Sequence, residues 1–170
     1  IITVDLEAQS TVESALRNQN PLIESVDIEM LHLHLLRTMP SQSSGAHANV
    51  EKNLQSYEFP DTLDLAHGKK YVLYSVVAHA LGTQNPWVVF TRPNCWRPKM
   101  WGFWHLCYPE SDRSVKIEAV ESEKALDDNF GGKEIQVGSK RACNTILNPR
   151  QRTAQILIYV KVSDNASASG

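Results

Sequence analysis

The chain has 170 residues, 42% of them hydrophobic and 21% charged, with a formal net charge of −2. At this length one hydrophobic core can bury roughly 70% of the surface that the unfolded chain exposes, so neither disulfides nor a structural metal is needed. Near-neutral charge gives no bulk electrostatic case for a nucleic-acid or membrane partner, and no apolar run approaches the ~18 residues that span a bilayer.

The chain opens without Met, inside the apolar alternation Ile1-Ile-Thr-Val-Asp-Leu6, and reads as a fragment of something longer that starts on a strand. Ser10-Thr-Val-Glu13 has the capping-box form, in which hydroxyl and carboxylate satisfy the free donors of a helix start. It predicts a helix from Thr11 to Asn18, stopped at Asn20-Pro21. From Met30 to Arg37, Leu31, Leu33 and Leu35 alternate with His32 and His34, the pattern of a half-buried strand whose polar face carries the histidines. Residues 39–48 are rich in turn formers and predict a loop. Tyr71 to Leu81 is a nearly continuous apolar run, the pattern of a strand buried on both faces, with Trp87 to Phe90 as its hairpin partner. Residues 118–130 fit an amphipathic helix with Val120, Ala125 and Leu126 on the buried side, ended by Gly131-Gly132. Ala154 to Val160 is a last strand. Residues 1–162 are expected to form one domain, and the tail 163–170, without apolar anchors, to be disordered.

Five of these segments resemble, in the same order, the ubiquitin-specific proteases, a family of cysteine deubiquitinases. Met30-Leu-His-Leu-His-Leu-Leu-Arg37 is similar to the family's Leu-His-Leu-x-Leu-x-Arg strand, and Tyr57-Glu-Phe-Pro-Asp-Thr-Leu-Asp-Leu65 to its Phe-x-Phe-Pro-x-x-Leu-x-Leu segment. The stretch from Tyr71 to Val88 resembles the active-site strand Tyr-x-Leu-x-Ala-Val-x-x-His-x-Gly and the loop that follows it. Glu123 to Gly132 looks like the helix exit of the subgroup carrying a MATH domain, and Ala154 to Val160 like the last strand. The resemblance implies an α+β fold dominated by antiparallel strands, the papain-like palm and part of the fingers, with the thumb absent from this chain.

The same resemblance implies that the catalytic apparatus is missing. Asn85-Pro86-Trp87 stands where the family has Gly-His-Tyr, and the proline ring has no titratable nitrogen. No nucleophile box precedes it, since Cys95, Cys107 and Cys143 each lie in unrelated surroundings, and Trp104-His-Leu-Cys-Tyr-Pro109 lacks the acid that would orient the histidine. The expectation is therefore a pseudo-deubiquitinase, a non-catalytic module that acts as an interaction scaffold for protein partners in a larger complex. Two alternatives stay open: the C-terminal half of a divergent active deubiquitinase whose cysteine lies outside this chain, and a ubiquitin-binding module without hydrolysis. With Asn85, Pro86 and Trp87 adding bulk beside the channel for the ubiquitin tail, ubiquitin is expected to bind weakly or not at all. The cysteines, with no Cys-x-x-Cys pair, suit an intracellular, nuclear or cytoplasmic setting.

The connection Thr91 to Trp104 holds three tryptophans, two arginines, a lysine and a methionine, residue types concentrated at protein interfaces or, when mixed this way, able to stack on nucleic acid. Trp87, Trp96, Arg97, Lys99, Trp101 and Trp104 are the candidate partner-binding residues; the competing reading packs Trp101, Phe103 and Trp104 into the next strand. His105 and Cys107, two apart on a strand, share a face and are the nearest thing to a substitute dyad, but no acid follows at matching spacing. His32 and His34 lack an evident third ligand, so no metal and no cofactor is expected.

Overall fold

The computed structural model describes residues 2–5, 11–19, 27–36, 38–39, 51–52, 57–65, 68–80, 87–95, 97, 101–110, 114–126, 129–130 and 152–162. The elements in chain order are β1 (Ile2–Asp5), α1 (Val12–Gln19), β2 (Met30–Leu36), β3 (Thr38–Met39), β4 (Glu51–Lys52) and β5 (Thr62–Leu65). They continue as β6 (Lys69–Ala80), β7 (Trp87–Thr91), β8 (Phe103–Pro109), β9 (Val115–Glu121), α2 (Ser122–Ala125) and β10 (Arg152–Val162). Strand dominates the described residues. One eight-stranded sheet runs in the order β1-β2-β10-β6-β7-β8-β9, with β5 also on β6, while β3 and β4 form a separate pair. Among the described residues of the large sheet, β1 and β2 run parallel and the other pairings are antiparallel.

The chain's longest apolar run explains the centre of this sheet. Tyr71, Val72, Leu73, Val76 and Ala78 are all fully buried on β6, which is flanked by β10 along its whole length. The other edge of β6 is shared: β5 pairs with Lys69 to Val72, and β7 with Ser75 to His79. The two short strands therefore meet end to end near Leu73 and Tyr74, where Leu73 N–H donates to the Asp61 carbonyl at 2.9 Å and Arg92 N–H to the Tyr74 carbonyl at 2.8 Å.

One face of the sheet carries the core. Leu31, Leu33 and Leu35 of β2 turn inward while His32 is half-buried and His34 exposed, as the alternation predicts. Val12, Ala15 and Leu16 of α1 join the same core, and Tyr57 and Phe59 add aromatic bulk, with Phe59 meeting Phe130 edge-on at 4.8 Å. Two core tyrosines place their hydroxyls on backbone acceptors: Tyr71 donates to the Ile28 carbonyl and Tyr159 to that of Pro60, each at 2.7 Å. Such bonds remove the cost of burying a phenol.

Three expectations are corrected. The cap of α1 is Thr11, not Ser10: its hydroxyl accepts from Ser14 N–H at 3.2 Å, and Glu13 turns outward to pair with Arg17 at 2.8 Å. Ser10 itself lies outside the described residues. The helix expected over 118–130 starts later and is shorter; residues 118–121 complete the strand β9 (Val115–Glu121), and among the described residues the α-helical part is Ser122–Ala125. Val115, Ile117 and Val120 are β-branched, and the first two alternate with Lys116 and Glu118, a period of two that suits pairing with β8 better than a helix. The Asn129 side-chain amide donates to the Lys124 and Ala125 carbonyls, at 2.9 and 3.1 Å, and closes the short helix. Met39, placed in a loop by composition, belongs to β3. The rest of that loop, the Gly131-Gly132 stop and the tail lie outside the described residues. Among the described residues no helix is long and apolar enough to cross a membrane.

Candidate protein-binding site

Of the six residues gathered by sequence reasoning into one contact surface, the four among the described residues are Trp87, Arg97, Trp101 and Trp104, and these four do not share one surface. Trp104 is fully buried, because β8 alternation sends Trp104, Leu106 and Tyr108 into the core. It is a packing residue, as the competing reading held for it. Trp101 is half-buried, and its Nε1–H donates to the Cys95 carbonyl at 2.6 Å, closing the turn before β8. Arg97 is exposed, its backbone N–H tied to the Asn94 carbonyl at 2.9 Å. Trp87 is 49% exposed and meets His79 edge-on, with ring centroids 5.0 Å apart. It begins β7, whose length puts about 13 Å between it and the connection that follows Thr91. Trp96 and Lys99 lie outside the described residues.

Arg92, one of the two arginines of that connection, is also fully buried. It sits where β5 and β7 meet on β6, donates from Nη2 to Asp61 Oδ1 at 2.5 Å, and lays its guanidinium over the Trp104 ring, 4.4 Å from the centroid. Among the described residues, its Nε and Nη1, and Trp104 Nε1, have no hydrogen-bond partner. Arg152 lies over Phe90 in a similar way at 5.2 Å. Both cations are thus sheet-packing groups, stacked on aromatic faces.

What the fold exposes instead is the outer face of β7, β8 and β9. The registers Val89 to Cys107, Cys107 to Ile117, Pro109 to Val115 and Phe103 to Glu121 place these side chains together on the side away from the core. Phe103 is 60% exposed, Val115 63% and Ile117 62%, with Val89 and Cys107 half-buried between them. Trp87 falls on the same face, two residues before Val89 on β7. The sequence signal for Val115 and Ile117 is their two-residue alternation with Lys116 and Glu118, leading into the stretch 118–130 expected to be a helix. Phe103 differs from its expected role: it faces outward where Trp104 faces in.

The chemistry of a cysteine peptidase has little support from these positions. His105 and Cys107 do share the outer face of β8, but burial pushes the Cys107 thiol up, the opposite of what a nucleophile requires. Cys95 is buried, and Cys143 and the Asn85-Pro86 position lie outside the described residues. Among the described residues, no group of three His, Cys, Asp or Glu side chains is arranged to hold a metal.

On the other side of the β8–β9 hairpin, Lys116 and Glu118 pair at 2.8 Å, Tyr108 donates its hydroxyl to the same Glu118 oxygen at 2.9 Å, and the ammonium lies 5.7 Å from the Tyr108 ring centroid. The bond from Lys116, reinforced by that of Tyr108, holds the Glu118 carboxyl below its usual range, and the same carboxylate pushes Lys116 up.

No family model matches the chain, and no curated protein matches it. Among solved structures the chain is similar to the Saccharomyces cerevisiae apo Pan2 pseudoubiquitin hydrolase–RNA exonuclease module in complex with AAUUAA RNA, at 15% identity and a TM-score of 0.37. That likeness covers 84% of this chain and 22% of the other.

Proposed function

We propose that the chain is a non-catalytic, ubiquitin-protease-like module, one domain over residues 1–162, that holds protein partners in a larger intracellular assembly. The observation that carries the binding part is the outer face of β7, β8 and β9. A sheet face with Phe103, Val115 and Ile117 each about 60% exposed and Trp87 about half exposed is apolar surface that a lone domain has no reason to keep. The family part is supported by the placement of the resembling segments: the described parts of the pieces at 30–37, 71–88 and 154–160 fall on β2, on β6 with β7, and on β10, which are neighbours in one sheet. The non-catalytic part rests on Pro86 at the family's histidine place and on a Cys107 thiol raised by burial.

Two measurements test this reading. The purified chain is expected to form no adduct with a thiol-reactive ubiquitin probe and to leave a ubiquitin C-terminal amide intact; cysteine-dependent turnover would overturn the pseudoenzyme. Partners that co-purify from cells with the wild type are expected to be lost with the double variant Trp87→Glu and Phe103→Glu, two exposed positions whose change leaves the core untouched. Retention of the same partners at the same strength, by a variant with an unchanged melting curve, would remove the outer face from the function.

A further inference from the structure

We propose that β9 is a self-pairing edge: two copies of the chain join antiparallel through Val115 to Ala119, with Ile117 on the two-fold axis, and extend the sheet across the dimer. This pairing does not depend on any likeness to ubiquitin proteases, because it follows from hydrogen-bond directions and charge order on one strand.

Among the described residues, β9 has a strand neighbour only on its β8 side. Glu110 N–H donates to the Ser114 carbonyl at 2.9 Å, so at position 114 the backbone groups point toward the preceding strand. In an antiparallel ladder that direction alternates, and the β8–β9 register runs without a bulge. Lys116, Glu118 and Val120 therefore bond inward to β8. Val115, Ile117 and Ala119 present their N–H and C=O groups outward. Pro109 agrees with this phase: opposite Val115 it occupies a place where β9 asks no N–H of it.

Charge then selects the register. A two-fold axis between residues would set outward groups against inward ones and lose the ladder, so the axis must pass through a residue. Centred on Glu118, the strand faces Glu118 with Glu118; centred on Lys116, it faces Lys116 with Lys116. Centred on Ile117, Lys116 faces Glu118 of the second copy at both ends, in the close non-hydrogen-bonded positions, while Val115 to Ala119 and Ile117 to Ile117 exchange backbone bonds. The Lys116–Glu118 pair is already held beside Tyr108, so the charges need no rearrangement to form an alternating set of four. On the other face Val115 and Ile117, 63% and 62% exposed in the single chain, come together across the axis.

Sedimentation equilibrium of the chain over a concentration series tests the pairing. The wild type is expected to be a reversible dimer. Lys116→Glu and Glu118→Lys each create two like-charged contacts per dimer and are expected to weaken association by about tenfold or more. Mixed in equal amounts, the two variants are again complementary, because one strand then carries a carboxylate at both positions and the other an ammonium group at both, and they are expected to form a heterodimer. Ile117→Pro removes an outward N–H and no bond to β8, so it is expected to give a folded monomer. A wild type that stays monomeric, a dimer that survives either charge reversal, or two variants that fail to associate on mixing would each overturn the proposal. Lys116→Glu and Glu118→Lys lie on the opposite face of the sheet from Trp87, Phe103 and Ile117, so failure of the charge-reversal arm is separable from failure of the partner-binding reading.

Discussion

The pair formed by Arg92 and Asp61 is expected to be strongly asymmetric, because one partner is enclosed and the other is not. The Arg92 side chain is fully buried and that of Asp61 is 38% exposed. Removing the carboxylate with Asp61→Ala leaves a cation in the core whose Nε and Nη1 are already without partners. Breaking a buried pair from one side costs about 3–5 kcal/mol, and the lower end applies here because the exposed side of Asp61 lets water approach the vacated position. Removing the cation with Arg92→Met has the opposite character. It forfeits the stacking on Trp104 and one charged hydrogen bond, but it also abolishes two unsatisfied buried donors and leaves a carboxylate that water can reach. Those effects are each about 1–2 kcal/mol with opposing signs, so Arg92→Met is expected within about 1 kcal/mol of wild type. At roughly 2–4 °C per kcal/mol for a chain of this size, thermal melts should show Asp61→Ala lower by roughly 6–12 °C and Arg92→Met within a few degrees. The double variant should melt above Asp61→Ala alone. Arg92→Met equal to or worse than Asp61→Ala would refute the reasoning, since it would mean that the cation contributes more than its burial costs.

Trp104→Ala is expected to lose about 3–5 kcal/mol in urea melts, whereas Trp87→Ala, half exposed at the start of β7, should lose no more than about 1. Cys107 should react with iodoacetamide more slowly than a model thiol near neutral pH, and gain reactivity only above the ordinary thiol range, because burial raises it; peptide mass spectrometry reads the rate. Burial keeps the Tyr159 phenol protonated well above its usual value, so the unfolded chain ionises first and stability falls as pH rises past about 10. Tyr159→Phe should flatten that alkaline limb while losing about 1 kcal/mol at neutral pH through its bond to the Pro60 carbonyl. The depressed Glu118 carboxyl acts in the other direction: its contribution is present above the usual carboxylate range and is lost as pH falls through it, so Glu118→Gln should melt with a shallower acid dependence.

The strands at the centre of the sheet were legible because their signals are strong and local. The Leu31, Leu33, Leu35 alternation specifies one buried face of β2, which holds, and the apolar run of β6 specifies a strand covered on both sides, which holds in part, since Val72 and Ser75 are buried on the second face while Val77 and His79 are half-buried. The N-terminal helix was placed to within a residue, although its cap moved from Ser10 to Thr11. A run such as Ser10-Thr-Val-Glu13 offers two hydroxyls to the same free donors, and sequence spacing does not choose between them. At β9 the acids at Glu118 and Glu121 suited the polar side of a helix as well as the rim of a strand. What settled the matter was the presence of β8 alongside, a tertiary partner outside the window in which periodicity is counted.

The candidate site shows the same limit from the other side. Trp, Arg and Met cluster in the connection after β7 in sequence, yet a strand sends successive side chains to opposite faces, so density in sequence is divided in space. Trp104 and Phe103 are adjacent residues; one is the largest fully buried side chain and the other is 60% exposed. Arg92 carries the composition of an interface residue but lies at the junction where β5 and β7 meet on the same edge of β6, a meeting that no local pattern encodes. The exposed apolar face draws on three strands between Trp87 and Ile117, none of them unusual alone. A binding surface on a sheet is set by register, and a shift of one residue in β8 would exchange Trp104 for Phe103 and carry the apolar face into the core.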